Sequence, residues 1–293
     1  MSPSYTRIDH NFQGVPGAIA SYLVPGDELT LIEAGPASTT PALLAGIRAA
    51  GFDPLAISRV VLTHIHLDHA GASGLLSRHL PRAQFFVHPN GAKHLIDPSR
   101  LIASAERIYG DRMAELWGEI LPVPAERVCV IADGEMIGPL RAVDTPGHAA
   151  HHHAYYDAQD GVVFTGDVAG VRMDDVRYVR PPTPPPELDL EAWAVSVERL
   201  RALGPRRLCL THFGEFEDVD WHLANLMARL GKWRQWISAG FVAGQEVATV
   251  TTALEAREHD LLTPELAERY ERVGTYGMCV EGFARYFAKR YQT

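Results

Sequence analysis

Val60-Val61-Leu62-Thr63-His64-Ile65-His66-Leu67-Asp68-His69-Ala70-Gly71 runs from a short apolar segment straight into three histidines and an aspartate. The apolar triplet reads as a buried strand. Four ligand-type side chains then fall within the span His64 to His69, followed at once by small residues. A strand end opening into a tight loop lets such side chains converge, whereas a regular helix would spread them around its circumference. Imidazole nitrogen and carboxylate oxygen together suit zinc, iron or manganese. A lone histidine is usually a packing or surface residue; four ligand types at this spacing point to a metal.

The same arrangement recurs along the chain. His148 in Thr145-Pro146-Gly147-His148 follows the apolar run Leu140–Asp144. Asp167 in Thr165-Gly166-Asp167 follows Val162–Phe164, and His212 in Thr211-His212-Phe213-Gly214 follows Leu208–Leu210. Each ligand-type residue ends a strand-like run at a glycine-containing loop. Strand ends along one sheet edge are where α/β proteins assemble their sites.

His64-x-His66-x-Asp68-His69, then His148, Asp167 and His212 resembles the metal-binding signature of the metallo-β-lactamase-fold superfamily, over roughly residues 15 to 215. The resemblance implies an α/β (α+β) fold: an αββα sandwich of two mixed β-sheets flanked by helices, with the site at one edge. It places His64, His66 and His148 on one metal and Asp68, His69 and His212 on a second. Asp167 would bridge them, and Asp68 would also orient the nucleophile as a catalytic residue. It implies two divalent transition-metal ions, zinc first, with iron or manganese also accepted by these donors. Paired cations of this kind generate a bridging hydroxide at neutral pH. Glu33 stands where the family usually carries an early aspartate outside the ligand set.

Within the superfamily, the ligand set and the missing flavodoxin domain set aside the true class B β-lactamases and the flavodiiron proteins. Glyoxalase-II-like thioesterases and lactonases fit best, although Val168-Ala169-Gly170 stands where lactonases often carry a tyrosine. The function expected is a dinuclear metallohydrolase of a small ester, thioester or lactone. The alternatives are a mononuclear non-haem iron oxygenase resembling persulfide dioxygenases, or a phosphodiesterase; a metal-bound scaffold that docks a partner is a third, non-enzymatic reading.

The surrounding sequence agrees with a layered fold. Strand-like runs are Leu29–Glu33, Gln84–His88, Val128–Ile131, Ala154–Asp157 and Arg207–Leu210, besides those already named. Helical patterns cover Pro41–Ala50, Gly71–Leu80, Asp189–Leu203 and the chain from about Trp221 on, broken near Gly240–Gly244 and Leu262–Pro264. Asp133-Gly134 and Asp160-Gly161 read as hairpin turns. Residues 97–121 read as a helical insertion, so the expected division is a catalytic domain over 1–213 and a helical extension over 214–293. Arg180–Glu187, with five prolines, reads as a stiff connection.

Of 293 residues, 46% are hydrophobic and 22% charged, which excludes wholesale disorder. The formal charge of −9 disfavours a protein that tracks nucleic-acid phosphates. No apolar run spans a membrane, and Met1–Gly14 lacks the build of a signal peptide. With three scattered cysteines this reads as a cytoplasmic protein with reduced thiols, acting on a small molecule.

Other residues receive plainer readings. His152 is a candidate partner to the ligands, and His151 and His153 are structural or solvent-facing. His88, His94 and His222 are isolated histidines. Tyr178 and Arg180 belong either to the rim of a site or to a solvated loop. The tail aromatics Trp221, Trp233, Trp236, Tyr270, Tyr276, Phe283, Tyr286 and Phe287 serve helix packing or a homodimer contact through the C-terminal helices.

Overall fold

The computed structural model describes residues 5–173 and 176–291. The first sheet takes its strands in chain order: β1 (Thr6–Asp9), β2 (Ala20–Val24), β3 (Leu29–Ile32), β4 (Ile57–Val61), β5 (Gln84–Val87) and β6 (Val128–Val130). β1 to β3 pair antiparallel and β3 to β6 parallel. Helices cross between the parallel strands. They are α1 (Thr40–Ala49), α2 (Leu67–Ala70), α3 (Ser73–His79), α4 (Pro89–Ile96), α5 (Ser99–Tyr109) and α6 (Met113–Trp117). The last three form the helical excursion, with α5 and α6 inside the stretch expected at 97–121.

The second sheet holds β7 (Met136–Ile137), β8 (Leu140–Asp144), β9 (His153–Asp157), β10 (Val162–Phe164), β11 (Arg207–Leu210) and β12 (Gly214–Phe216). It is antiparallel except for the parallel β10/β11 pair, whose crossover carries α7 (Leu190–Ala202). Asp160-Gly161 turns the β9/β10 hairpin as expected. Asp133-Gly134 does not join a hairpin: β6 lies in the first sheet and β7 in the second, so the chain changes layers there. Pairing of β12 on β11 carries the second sheet beyond residue 213.

The chain closes with α8 (Val219–Val242), α9 (Val247–His259), α10 (Pro264–Val273) and α11 (Tyr276–Tyr291). Apolar residues separate into layers. Tyr22, Val61, Tyr155, Phe164 and Cys209 fill the space between the sheets. Leu43, Ile47, Leu76 and Phe85 seal the first sheet under its helices. Trp193, Leu223, Trp233, Tyr276 and Phe283 do the same for the second. Trp233, Tyr270, Tyr276, Phe283, Tyr286 and Phe287 are thus buried within the chain, which supports the packing role and removes the aromatic argument for a dimer. Among the described residues no helix is long and apolar enough to cross a membrane.

Candidate metal centre

The strand ends deliver the side chains. β4 stops at Val61, and His64 and His66 lie in the extended segment that follows. Asp68 and His69 do not share that segment: they sit on α2, a single helical turn. The turn, which the strand-and-loop expectation missed, sets Asp68 against His212 at 3.2 Å and keeps the His69 ring 4.0 Å from that of His64. His148 follows β8, Asp167 follows β10 and His212 follows β11.

The seven residues form two groups sharing one carboxylate. His64 Nε2 and His148 Nε2 each lie 2.9 Å from His66 Nδ1. His212 Nε2 lies 3.2 Å from Asp68 Oδ2, and His69 Nε2 3.6 Å from the same oxygen. Asp167 faces both groups: Oδ2 is 3.3 Å from His148 Nε2, while Oδ1 is 3.2 Å from His69 Nε2 and 3.5 Å from His212 Nε2. Neighbouring donors around a tetrahedral ion with bonds of about 2.0–2.1 Å stand about 3.3 Å apart. These spacings fit that requirement. Among the described residues His69 Nε2 and Asp167 Oδ1 are buried without a hydrogen-bond partner. Such orphaned atoms are costly unless they face an ion.

Outer hydrogen bonds fix which nitrogen of each ring faces inward. His64 Nδ1 meets Thr63 Oγ1 at 3.0 Å, and that hydroxyl donates to Glu33 Oε1 at 2.6 Å. His69 Nδ1 donates to Glu33 Oε1 at 3.0 Å. His148 Nδ1 donates to the Pro182 carbonyl at 2.9 Å, and His212 Nδ1 to the Ala18 carbonyl at 2.8 Å. In these four rings the Nε2 lone pair is therefore left for the centre. Glu33 is fully buried, has a φ of 66°, and also accepts from Thr211 Oγ1 at 3.1 Å.

His152 has both ring nitrogens committed, so it cannot ligate. Nδ1 donates to Thr145 Oγ1 at 2.7 Å, and Nε2 accepts the Asp167 backbone N–H at 3.1 Å. It positions Asp167. Gly166 allows this contact: its φ is +51°, and a Cβ there would stand 2.5 Å from Thr63 Oγ1 and 2.7 Å from His152 Nε2.

Electrostatics divide the groups in the same way. Burial, aided by neighbouring imidazoles, keeps His64 and His66 well below the ordinary histidine range. Burial also opposes charge on His69, yet Asp167, Asp68 and Glu33 outweigh it and raise that imidazole. Burial likewise resists ionisation of Asp68, but His69 and His212 hold its carboxyl at about 2. The first group is a neutral imidazole cluster and the second is rich in carboxylate.

Histidines 151 to 153 face three different surroundings. His151 is buried on the wall of the cavity above the centre, 3.5 Å from Glu187 Oε2. His153 Nε2 bonds Asp144 Oδ1 at 2.7 Å, and His88 Nε2 lies 3.4 Å from the same oxygen. These three could also converge on an ion. However, His88 Nδ1 accepts the Asn90 N–H at 3.0 Å, so its proton is on Nε2, directed at Asp144. That arrangement links the two sheets by hydrogen bonds and offers a cation no lone pair from His88. His222 is buried and bonded to the Ala169 carbonyl at 2.8 Å, a structural role.

The cavity over the centre has a volume of about 220 Å³. Its walls come from the helical excursion (Leu101, Ile108, Tyr109), the proline stretch and the tail (Val273, Met278). Arg180–Glu187 is thus more than a connection, since Pro182 to Glu187 line the cavity and Pro182 holds His148. Tyr178 and Arg180 are buried, not solvated: Arg180 lines the cavity, while Tyr178 donates to Glu258 Oε2 at 2.6 Å. No signal in the sequence marks Thr63, Thr211 or the Ala18 and Pro182 carbonyls, which are ordinary groups given roles only by proximity.

Comparison with known proteins finds relatives of the same fold. A relative from Sulfurisphaera tokodaii, the metallo-beta-lactamase fold-containing protein ST1585, is 29% identical over 225 residues, covering 73% of this chain and 80% of its own. The N-acyl homoserine lactonase AttM of Agrobacterium fabrum is 30% identical over 110 residues, 37% of this chain and 39% of AttM. The crystal structure of the metallo-beta-lactamase family protein TTHA1429 from Thermus thermophilus superposes with a TM-score of 0.72 at 22% identity. It covers 98% of this chain and 94% of that one, so the fold likeness extends over the C-terminal helices. The family profile of the metallo-beta-lactamase superfamily matches residues 14–212, and the chain therefore belongs to that superfamily of metal-dependent hydrolases.

Proposed function

We propose that this protein is a dinuclear metallohydrolase that cleaves a small ester, thioester or lactone. The observation that carries the reading is Asp167, whose two oxygens face different histidine groups at 3.3 and 3.2 Å. A mononuclear site has no need of a second converged set. His64, His66 and His148 would hold one ion, Asp68, His69 and His212 the other, and Asp167 would serve both. When bound, the two ions supply hydroxide at neutral pH and polarise the scissile carbonyl. Zinc, iron and manganese all accept these donors, with zinc the first choice.

The chain's own residues do the rest. Glu33, Thr63 and the Pro182 and Ala18 carbonyls hold four imidazoles in one tautomer, so the donor set is formed in advance. Asp68, held ionised, would orient the nucleophile as well as ligate. The apolar cavity wall excludes bulk water and receives the acyl portion. AttM's lactonase activity supports an ester or lactone substrate. The test is hydrolysis of a panel by metal-analysed protein, with Asp167→Ala as control. The panel holds an S-acyl glutathione, several lactones and a phosphodiester. Turnover of an ester, thioester or lactone that is lost in the variant is expected; turnover that survives Asp167→Ala refutes the reading.

A further inference from the structure

Hydrolysis of an ester or lactone of an aliphatic alcohol needs a proton for the departing oxygen, and the outer ring nitrogens of His64, His69, His148 and His212 are committed to their own partners. We propose that Tyr109, the last residue of α5, is the acid that protonates the leaving group. This rests on the hydrolytic reading above and assigns it a further catalytic residue.

Three observations carry the proposal. Tyr109 lines the same small cavity as Asp68, Asp167 and His212. Among the described residues the Tyr109 hydroxyl has only a weak partner, the Met278 sulfur of α11 at 3.5 Å. Thioether sulfur is a poor acceptor, so a substrate oxygen would displace it readily. The ring is held in place: it packs edge-on against Trp117 at 5.0 Å, and Trp117 stacks on Phe12 at 5.6 Å. The phenol is therefore positioned in advance with an uncommitted O–H.

The other hydroxyls on the wall serve poorly. Tyr270 accepts the Met173 N–H at 2.9 Å and donates to the Tyr178 carbonyl at 3.2 Å. Thr183 donates to the Cys279 carbonyl at 3.2 Å. Ser104 is an aliphatic alcohol and a much weaker acid than a phenol. Burial, with Asp68 and Cys279 nearby, raises the Tyr109 phenol, so it carries its proton throughout the neutral range.

Hydroxide derived from water adds to the acyl carbon. The bond from that carbon to the leaving oxygen breaks, and its electron pair goes to that oxygen, which takes the Tyr109 proton. Solvent reprotonates the tyrosinate. The sum is ester plus water giving carboxylate, alcohol and one proton. Dependence on Tyr109 should follow the basicity of the leaving group. An alkoxide is about as basic as hydroxide, whose parent water has a pKa of about 15.7. A thiolate, with a parent pKa of about 8.5, leaves with little help.

The experiment compares wild type and Tyr109→Phe on three substrates with one acyl group: an alkyl ester or lactone, a thioester, and a p-nitrophenyl ester. Phenylalanine keeps the ring on Trp117, so metal content and thermal midpoint should match wild type. For the alkyl ester kcat should fall about 10²–10⁴-fold with KM nearly unchanged, the range of general acid catalysis. The p-nitrophenyl ester should keep its wild-type kcat, with the thioester close to it. Unchanged alkyl-ester kcat, or an equal loss on all three substrates, overturns the proposal while leaving hydrolysis intact. A metal-loaded wild type inert on all three overturns the hydrolytic reading, and the assignment of Tyr109 with it.

Discussion

Replacing Glu33 by glutamine removes a charge beneath the metal centre while keeping the shape of the side chain. Three donors converge on Oε1: Thr63 Oγ1 at 2.6 Å, His69 Nδ1 at 3.0 Å and Thr211 Oγ1 at 3.1 Å. Among the described residues Oε2 receives only the Thr63 N–H at 3.3 Å. The glutamine amide can leave its oxygen among the three donors and turn its NH₂ toward Thr63 N–H, so one long bond is lost. The larger effect is on the other three. A hydrogen bond to a charged acceptor contributes about 1.5–3 kcal/mol, and a neutral one about 0.5–1.5. His69 is weakened directly and His64 through Thr63, about 1 kcal/mol each by that difference. The expected result is metal binding weakened about 10–100-fold, the usual range for such outer partners. Competition against a chromophoric chelator measures it, with stoichiometry recovered at excess metal. Glu33→Ala is a poorer test, because it strands four buried donors at about 1–3 kcal/mol each and threatens the fold. Metal affinity in Glu33→Gln equal to wild type would refute the claim that this carboxylate orients the ligands.

Other outcomes follow from the packing. A Cβ at Gly282 would stand 1.9 Å from the Thr183 carbonyl oxygen, so Gly282→Ala should cost about 1–3 kcal/mol. It should also weaken metal binding by displacing Pro182 from His148, read by thermal midpoint and chelator competition. Glu258 is fully buried between Tyr178 and Arg229, both at 2.6 Å. Glu258→Ala should lower stability by about 3–5 kcal/mol in urea unfolding, and replacing both Glu258 and Arg229 by leucine should recover most of it. His222 is pushed down to about 4 by burial, against about 6.5 when exposed. The neutral form is favoured in the fold, so its contribution is complete above about pH 6.5 and is lost as pH falls toward 4. At about 1.36 kcal/mol per pH unit the ceiling is about 3 kcal/mol. Across that range stability should fall less steeply in His222→Asn than in wild type, and equal slopes would contradict the assignment.

How much of this is legible in the sequence depends on whether neighbours in space are also neighbours in a pattern. Val60–Leu62 and Val162–Phe164 stand out because buried strands are runs of β-branched and aromatic residues. The ligand-type residues behind them are visible because each ends such a run. β1 and β2 leave no comparable mark: β2 follows the irregular Asn11–Gly17 segment, and β1 is four residues long with three polar positions. The turn at Asp133-Gly134 carries a hairpin sequence, but the partner strand for β6 is β5, and nothing local records that choice. Glu33 and His152 can be placed beside the ligands only by likeness to relatives, since their roles depend on hydrogen bonds to residues far along the chain. The proline stretch shows its stiffness in its composition. Its place against His148 is set by α11, nearly a hundred residues later.

One chain is expected to hold two ions on seven residues joined by Asp167. Titrating metal-free protein with zinc, and counting bound ions by elemental analysis after desalting, tests it directly. Wild type should saturate at two ions per chain, and Asp167→Ala should fail to retain both. Saturation of the wild type at one ion, or an Asp167→Ala protein that holds two as tightly as wild type, would contradict the account.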